Sequence, residues 1–151
     1  MAPQREEDDH TMSDAQIHIL TCHPGVGEMV EGEALVSTDG FSARYDVDRR
    51  RGIFSRESHV LYGQSLVNKI LVFPTAKGGV ATAWALLDMK ARGVAPKGLI
   101  FTRTNPIMVQ GAVLAAIALV HELNQDPVRA IHTGDWLRLD PKRGIVRVYR
   151  R

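Results

Sequence analysis

Apolar and polar residues alternate near both ends of the chain, whereas in its middle the apolar positions recur at helical spacing. After a polar, acidic opening over residues 1–14, AQIHILT reads as a strand that ends in the Pro/Gly turn HPGVG. EMVEGEALVS alternates imperfectly and reads as a strand of a half-buried sheet. FSARYDVDRRRGIFS reads as two short strands joined by a polar, glycine-terminated turn. From Lys69 the pattern becomes strand–helix–strand. KILVF is a short buried strand, and Val80, Ala83, Trp84, Leu87 and Ala91 then fall on one helical face. Gly93 closes that helix and Pro96 prevents its continuation. GLIFT is a second buried strand. Asn105 as N-cap and Pro106 at the first helical position start a second helix, expected to run to about Asn124. After a turn at Asp126-Pro127, VRAIH is expected to be a third buried strand. The final DWLRLDPKRGIVRVY places two alternating runs around Pro-Lys-Arg-Gly, a hairpin signal.

This order of elements predicts one α/β domain over residues 15–151, a compact β-sheet or barrel with helices packed on one side. Residues 1–14 have little to bury and read as a disordered tail, with Met12 as an alternative start. No internal repeat is present. At 151 residues the chain is long enough to bury a core without staples. Its net charge of +2 is dispersed, except for Arg49-Arg50-Arg51, read as a solvated turn, and Arg150-Arg151, read as a solvated tail. That balance excludes a nucleic-acid partner, which needs a strongly basic face. A single cysteine, Cys22, allows no internal disulfide and fits a reducing compartment. It also leaves no self-contained zinc-thiolate or iron–sulfur site. The charged start is not a secretory signal, and no apolar run is long enough to span a membrane, so a cytoplasmic location is expected.

The stretch FPTAKGGVATAW, Phe73 to Trp84, carries the candidate chemistry. Gly78 and Gly79 remove side chains that would screen backbone amides, and the helix beginning near Val80 points its first N–H groups into the same space. With Lys77 these groups make an anion site. The competing reading is a strand-to-helix turn that needs glycine for its backbone angles. AKGGVAT lacks the order of a nucleotide P-loop, and neither HPGVG nor KGGVA supplies the dinucleotide fingerprint. No serine-hydrolase elbow occurs. The stretch is similar to the phosphohistidine loop of swivelling phosphotransferase domains, but Ala83 stands where the histidine belongs, which removes the phosphoryl acceptor.

A longer match runs from about Glu31 to Ile131. It comprises Gly32-Glu33-Ala34, Asp48, Gly52, His59, Leu61-Tyr62-Gly63, Lys69-Ile70-Leu71, Pro74, Gly78, Gly93, Ala95-Pro96, Ile100-Phe101, Pro106-Ile107 and Gly111-Ala112. In order and spacing these residues resemble the small subunit, or swivelling domain, of the aconitase X family, and so imply a swivelling β/β/α fold. The resemblance implies a hydro-lyase that dehydrates a small hydroxy acid, as in cis-3-hydroxy-L-proline dehydratase and archaeal phosphomevalonate dehydratase. It implies an active site shared with a large catalytic subunit that carries an iron or iron–sulfur centre, with no cofactor bound by this chain alone. Such chemistry needs a base for the carbon-bound proton and a Lewis acid for the leaving hydroxyl.

Departures from the family pattern fall in the loop. The family places an arginine, a glycine and then a serine, the expected proton acceptor, where this chain has Lys77, Gly78 and Gly79. Lysine cannot form arginine's planar clamp on a carboxylate. Thr75 and Thr82 are the remaining hydroxyls, so Thr75, Lys77 and Thr82 are the catalytic candidates. Gly78, Gly79, His59 and Asn105 are the substrate-binding candidates. Two readings stay open: a dehydratase subunit, or a non-catalytic small-acid-binding or regulatory module that kept the fold without the serine. For His59 a hydrogen-bonded structural role competes with a site role, and for Asn105 a helix cap competes with a ligand contact. Cys22-His23 alone is a weak ligand set. Trp84 and Trp136 are expected to pack with their indole N–H groups satisfied, and His121 is expected to be structural or at the surface.

Overall fold

The structure, a computed structural model, describes residues 15–150. The tail expected over residues 1–14, the alternative start at Met12 and Arg151 lie outside the described residues. The strands are β1 (Ala15–Thr21), β2 (Val30–Val36), β3 (Val47–Asp48), β4 (Ile53–Phe54), β5 (Ile70–Thr75), β6 (Gly98–Arg103), β7 (Ala118–His121), β8 (Trp136–Asp140) and β9 (Ile145–Arg150). Helices α1 (Val80–Arg92) and α2 (Pro106–Ala115) follow β5 and β6, and a single turn, α3 (Pro127–Ala130), precedes β8. Seven strands form one sheet in the order β1-β9-β8-β2-β5-β6-β7, while β3 and β4 make a small separate hairpin. The run β2-β5-β6-β7 is parallel and the remaining pairings in the large sheet are antiparallel.

Strand alternation divides the core in two. Ile70 and Val72 of β5 face a cluster that also takes residues from β1, β2, β6, β7, β8 and β9, so the sheet curls around its own apolar face. Val26, just after β1, bridges Leu119 of β7 and brings the two edges of the sheet together. Leu71 and Phe73 face the other way, against Ala85, Leu86 and Met89 of α1 and Met108, Ala112 and Ala115 of α2. This is the expected sheet or barrel with helices on one side. Phe73 stacks on Phe41 at 4.6 Å and on Phe101 at 5.8 Å between ring centroids. Such pairs contribute about 0.5–1.5 kcal/mol beyond area burial.

Four expectations are corrected. The second helix stops at Ala115, not near Asn124. Ala116 takes the left-handed conformation (φ 53°) that usually marks a glycine cap, and Ala118–His121 becomes the third parallel strand, paired with β6. His121 therefore lies on a strand. VRAIH is not a strand: Asp126 accepts the Val128 N–H and Pro127 opens the short α3. The inner face of α1 is Thr82, Ala83, Ala85, Leu86 and Met89, whereas Val80 and Trp84 are exposed. Ala83 sets this rotation, because a Cβ on Gly111 of α2 would stand 2.8 Å from its Cα. Arg150 is no solvated tail, since its Nε and Nη2 reach the two carboxylate oxygens of Asp135 at 3.0 and 2.9 Å. Burial pushes the Asp135 carboxyl up, but the Arg150 hydrogen bonds and charge and the His132 N–H outweigh it and hold it below the usual range. The remaining expectations for Trp136 and the Arg49–Arg51 turn hold: Trp136 Nε1 donates to Glu31 Oε1 at 2.9 Å, and the three arginines are exposed.

Candidate functional site

β5 and β6 end side by side, with Thr75 in register with Arg103, and each runs into a helix. The segment at Gly40–Ser42 lies along the outgoing β5 chain: Phe41 N–H donates to Thr75 O at 3.0 Å and Lys77 N–H to Phe41 O at 2.8 Å. Gly40 eases this approach: a Cβ there would stand 3.2 Å from Thr75 O, a tight contact, and 2.7 Å from Lys77 Cε, so the lysine stem would have to swing aside. Gly78 has φ +93°, and a Cβ there would fall 2.4 Å from Thr82 Oγ1. Gly79 is the N-cap of α1 and provides no side-chain cap; Thr82 N–H donates back to Gly79 O at 2.9 Å, which leaves the Val80 and Ala81 N–H groups for another acceptor. Around a Cβ at Gly79 nothing lies within 4 Å.

Across from the loop, Asp39, Asp46, Arg56, Ser58 and His59 join Lys77 around a depression of about 170 Å³. Asp46 is buried, its Oδ2 accepting the Ser42 N–H at 2.8 Å and its Oδ1 facing Arg56 Nη1 at 3.3 Å. His59 is also buried, stacked on Phe54 at 5.0 Å. Its Nδ1 accepts the Leu61 N–H at 3.1 Å, so Nε2 carries the proton and donates to Gly40 O at 2.9 Å. Both ring nitrogens are thereby engaged with backbone groups, and the ring pins Gly40 beneath the Lys77 stem. Asp46 Oδ2 lies 3.7 Å from the same Nε2.

The structure thus brings Lys77 and His59 to one depression, while Gly78 and Gly79 follow Lys77 in the chain without lining it. Thr75 is exposed at its edge, with Oγ1 on Ala76 O at 3.3 Å. Thr82 is buried behind Gly78, its Oγ1 3.5 Å from Lys77 O. Asn105 caps its own helix, Oδ1 accepting the Met108 N–H at 2.8 Å. Asp39, Asp46, Arg56 and Ser58 were missed because nothing in their local pattern marks them; the pairing of Phe41 with Ala76 carries them there. Ala83 is packed against Gly111, so a histidine in its place would force the two helices apart. Cys22 and His23 lie at the turn of the β8–β9 hairpin, where Cys22 N–H donates to Gly144 O, and burial pushes the Cys22 thiol up. No group of three His, Cys, Asp or Glu able to hold a metal occurs among the described residues. Among them, too, no helix is long and apolar enough to cross a membrane.

A larger cleft, about 440 Å³, opens where α1 and α2 end. Its lysines are committed to backbone carbonyls, Lys90 to Ala116 O and Lys97 to Glu31 O. Size alone therefore does not mark the site; the smaller depression has the convergent charges, and its Lys77 leads into the start of α1.

The family model for the aconitase X swivel domain matches residues 19–148. The phosphomevalonate dehydratase small subunit of Methanopyrus kandleri is 38% identical over 124 residues, covering 81% of this chain and 92% of that protein. The phosphomevalonate dehydratase small subunit of Methanococcoides burtonii is 32% identical over 127 residues, 84% of this chain and 93% of that one. The crystal structure of holo-form aconitase X from Thermococcus kodakaraensis superposes with a TM-score of 0.82 at 31% identity, covering 87% of this chain and 98% of the matched chain.

Proposed function

This chain belongs to the aconitase X swivel-domain family, and from that premise we propose that it is the small subunit of a heteromeric hydro-lyase acting on a small hydroxy acid. The observation that carries the reading is the uncapped Lys77-Gly78-Gly79 turn, opening beside the depression that Arg56 and Lys77 share. There the chain binds and orients an oxyanion of the substrate, with Lys77 as a charge and the first-turn amides of α1 as donors. Relatives bear the name phosphomevalonate dehydratase small subunit, and phosphomevalonate offers both a carboxylate and a phosphoryl group for such recognition.

The iron or iron–sulfur centre that the resemblance implies does not fit the described residues, which bring no three candidate ligands together. In this proposal it belongs to the large subunit, and this chain's part is confined to substrate. Exposed apolar side chains support a partner at this face. Val80 and Trp84 are exposed on the first turns of α1, and Tyr45, Val60 and Tyr62 are exposed close in sequence to the lining residues Asp46 and His59. Tryptophan and tyrosine are enriched among residues that carry binding energy at interfaces.

A second reading, a binding module without turnover, is favoured by the hydroxyls: Thr75 and Thr82 both point to backbone carbonyls and Gly79 has no side chain. Anaerobic co-expression with a large subunit, pull-down, and dehydration assays on phosphomevalonate and cis-3-hydroxy-L-proline separate the two. Co-purification with turnover on one substrate is expected, and turnover falls when Lys77 or Thr75 is replaced separately by Ala or Val. A complex without turnover leaves the binding module, and failure of any large subunit to associate removes the heteromer.

A further inference from the structure

We propose that Arg56 is a substrate-contacting residue of this site, a planar clamp for an oxyanion, and that Asp46 is the carboxylate that positions it. The ligand's identity as substrate rests on the reading above; the clamp itself rests on geometry.

Arg56 lines the depression together with Lys77, with its side chain about half exposed (52%). Among the described residues only Nη1 is engaged, and at 3.3 Å the contact with Asp46 Oδ1 is long for a charge-assisted bond, which closes to about 2.7–2.9 Å at full strength. The rest of the guanidinium fork remains available to the depression. Asp46 itself cannot swing away. Its side chain is 4% exposed, its Oδ2 is held by the Ser42 N–H, and its own backbone carbonyl accepts the N–H groups of Ser55 and Arg56. One anchored residue thus fixes the start of Arg56 through its carbonyl and one corner of the Arg56 head group through its carboxylate.

The charges explain why shape matters here. Arg56 faces Asp46; among the described residues Lys77 has no ion-pair partner, and the Asp39 carboxylate accepts the Val60 N–H at 2.8 Å. Two cations and two carboxylates leave the depression charge-balanced, so an anion is recognised there through directed N–H donors and not through net field. A guanidinium offers a flat pair of donors to a carboxylate or phosphoryl group, whereas Lys77 acts as a point charge. Arg56 therefore supplies the planar recognition that lysine at position 77 does not.

Two arms test this. In the full chain alone, titration with sodium acetate and with inorganic phosphate is followed by NMR at the Arg56 Nε–H and the Gly78 and Gly79 amides. Saturable shifts at all three are expected with at least one of the two anions, and they distinguish a carboxylate from a phosphoryl preference. Arg56→Gln weakens the binding at least tenfold and Arg56→Lys does not restore it, while Asp46→Asn weakens it with the Arg56 resonance displaced before any anion is added. No saturable shift with either anion, or equal affinity in Arg56→Lys, overturns the clamp. In the assembled complex, Arg56→Gln raises KM at least tenfold with a smaller change in kcat, and an unchanged KM overturns the substrate contact. A chain that binds anions through Arg56 but shows no dehydration with any large subunit retains the clamp and loses the hydro-lyase reading, so the two fail separately.

Discussion

Two strand-to-helix turns leave the same end of the parallel sheet and are built in opposite ways. At the β6–α2 turn, Asn105 accepts the Met108 N–H and Pro106 occupies the first helical position, so the sequence satisfies its own helix start. At the β5–α1 turn, Gly79 occupies the cap position without a side chain, Gly78 turns the chain with a positive φ, and α1 begins with its donors unclaimed by any side chain. Thr75 and Arg103 pair in register, so the two turns are neighbours in one frame. With Met108 capped and proline at the first position, α2 keeps only the Ile107 N–H of its first turn, whereas α1 keeps those of Val80 and Ala81, next to Lys77 of the depression. That difference, more than the glycine count, separates the candidate site from an ordinary connection.

Gly78→Ala breaks the open turn and carries the largest expected effect. The new Cβ would sit 2.4 Å from Thr82 Oγ1 in a backbone conformation that favours glycine, at φ +93°. Strain of this kind costs about 1–3 kcal/mol, read as a shift in the urea midpoint. In the assembled complex, displacement of Lys77 and the first-turn amides lowers turnover on the order of 100-fold. Unchanged turnover would take the loop out of the reaction. Asn105→Ala sharpens the contrast from the other side: it costs about 1 kcal/mol of stability through the lost cap and leaves KM and kcat where they were. A rise in KM would bring α2 into the site. Thr82→Val removes a long 3.5 Å contact to Lys77 O, so its loss falls at the low end of about 0.5–1.5 kcal/mol, with KM shifting only if that contact holds the Lys77 backbone in place.

Legibility in the sequence followed the range of the interaction. Asn105-Pro106, Gly93 and the Pro-Lys-Arg-Gly hairpin are local chemistry, and the structure forms each of them where the pattern placed it. β7 was hidden because Ala116 adopts a left-handed cap without being glycine, so nothing interrupted the apolar run from α2 into Ala118–His121. α3 carried the same signals as α2, Asp126 and Pro127, but the β-branched residues after them read as strand. In the site, the Lys-Gly-Gly turn was visible because glycine and lysine are its chemistry. Asp46 and Arg56 were not, since a backbone pairing between Phe41 and Ala76 sets them beside it. Trp84 faces outward because close packing of Ala83 on Gly111 fixes the rotation of α1, a constraint that apolar spacing does not record.

Gly79→Ser is the smallest perturbation and converts one kind of turn into the other. The backbone at Gly79 has a negative φ, −120°, which does not call for glycine, and a Cβ there meets nothing within 4 Å. A serine therefore fits without rearrangement, and as an N-cap its hydroxyl can accept a first-turn N–H, gaining only a few tenths of a kcal/mol over glycine (~0.3). Its effect on function has the larger lever arm. If the open amides of α1 bind the substrate anion, the serine competes for them, and phosphate or acetate affinity of the full chain falls about two- to fivefold, as for one neutral hydrogen bond of roughly 0.5–1 kcal/mol. If a hydroxyl at this position can take the carbon-bound proton, as the family resemblance implies, kcat of the assembled complex rises about 100-fold, the lower edge of what a positioned base contributes. A variant with higher kcat and weaker anion binding assigns both properties to residue 79. One that gains stability while leaving both unchanged places residue 79 outside the shared site, and the contrast between the two helix starts would then reflect folding alone.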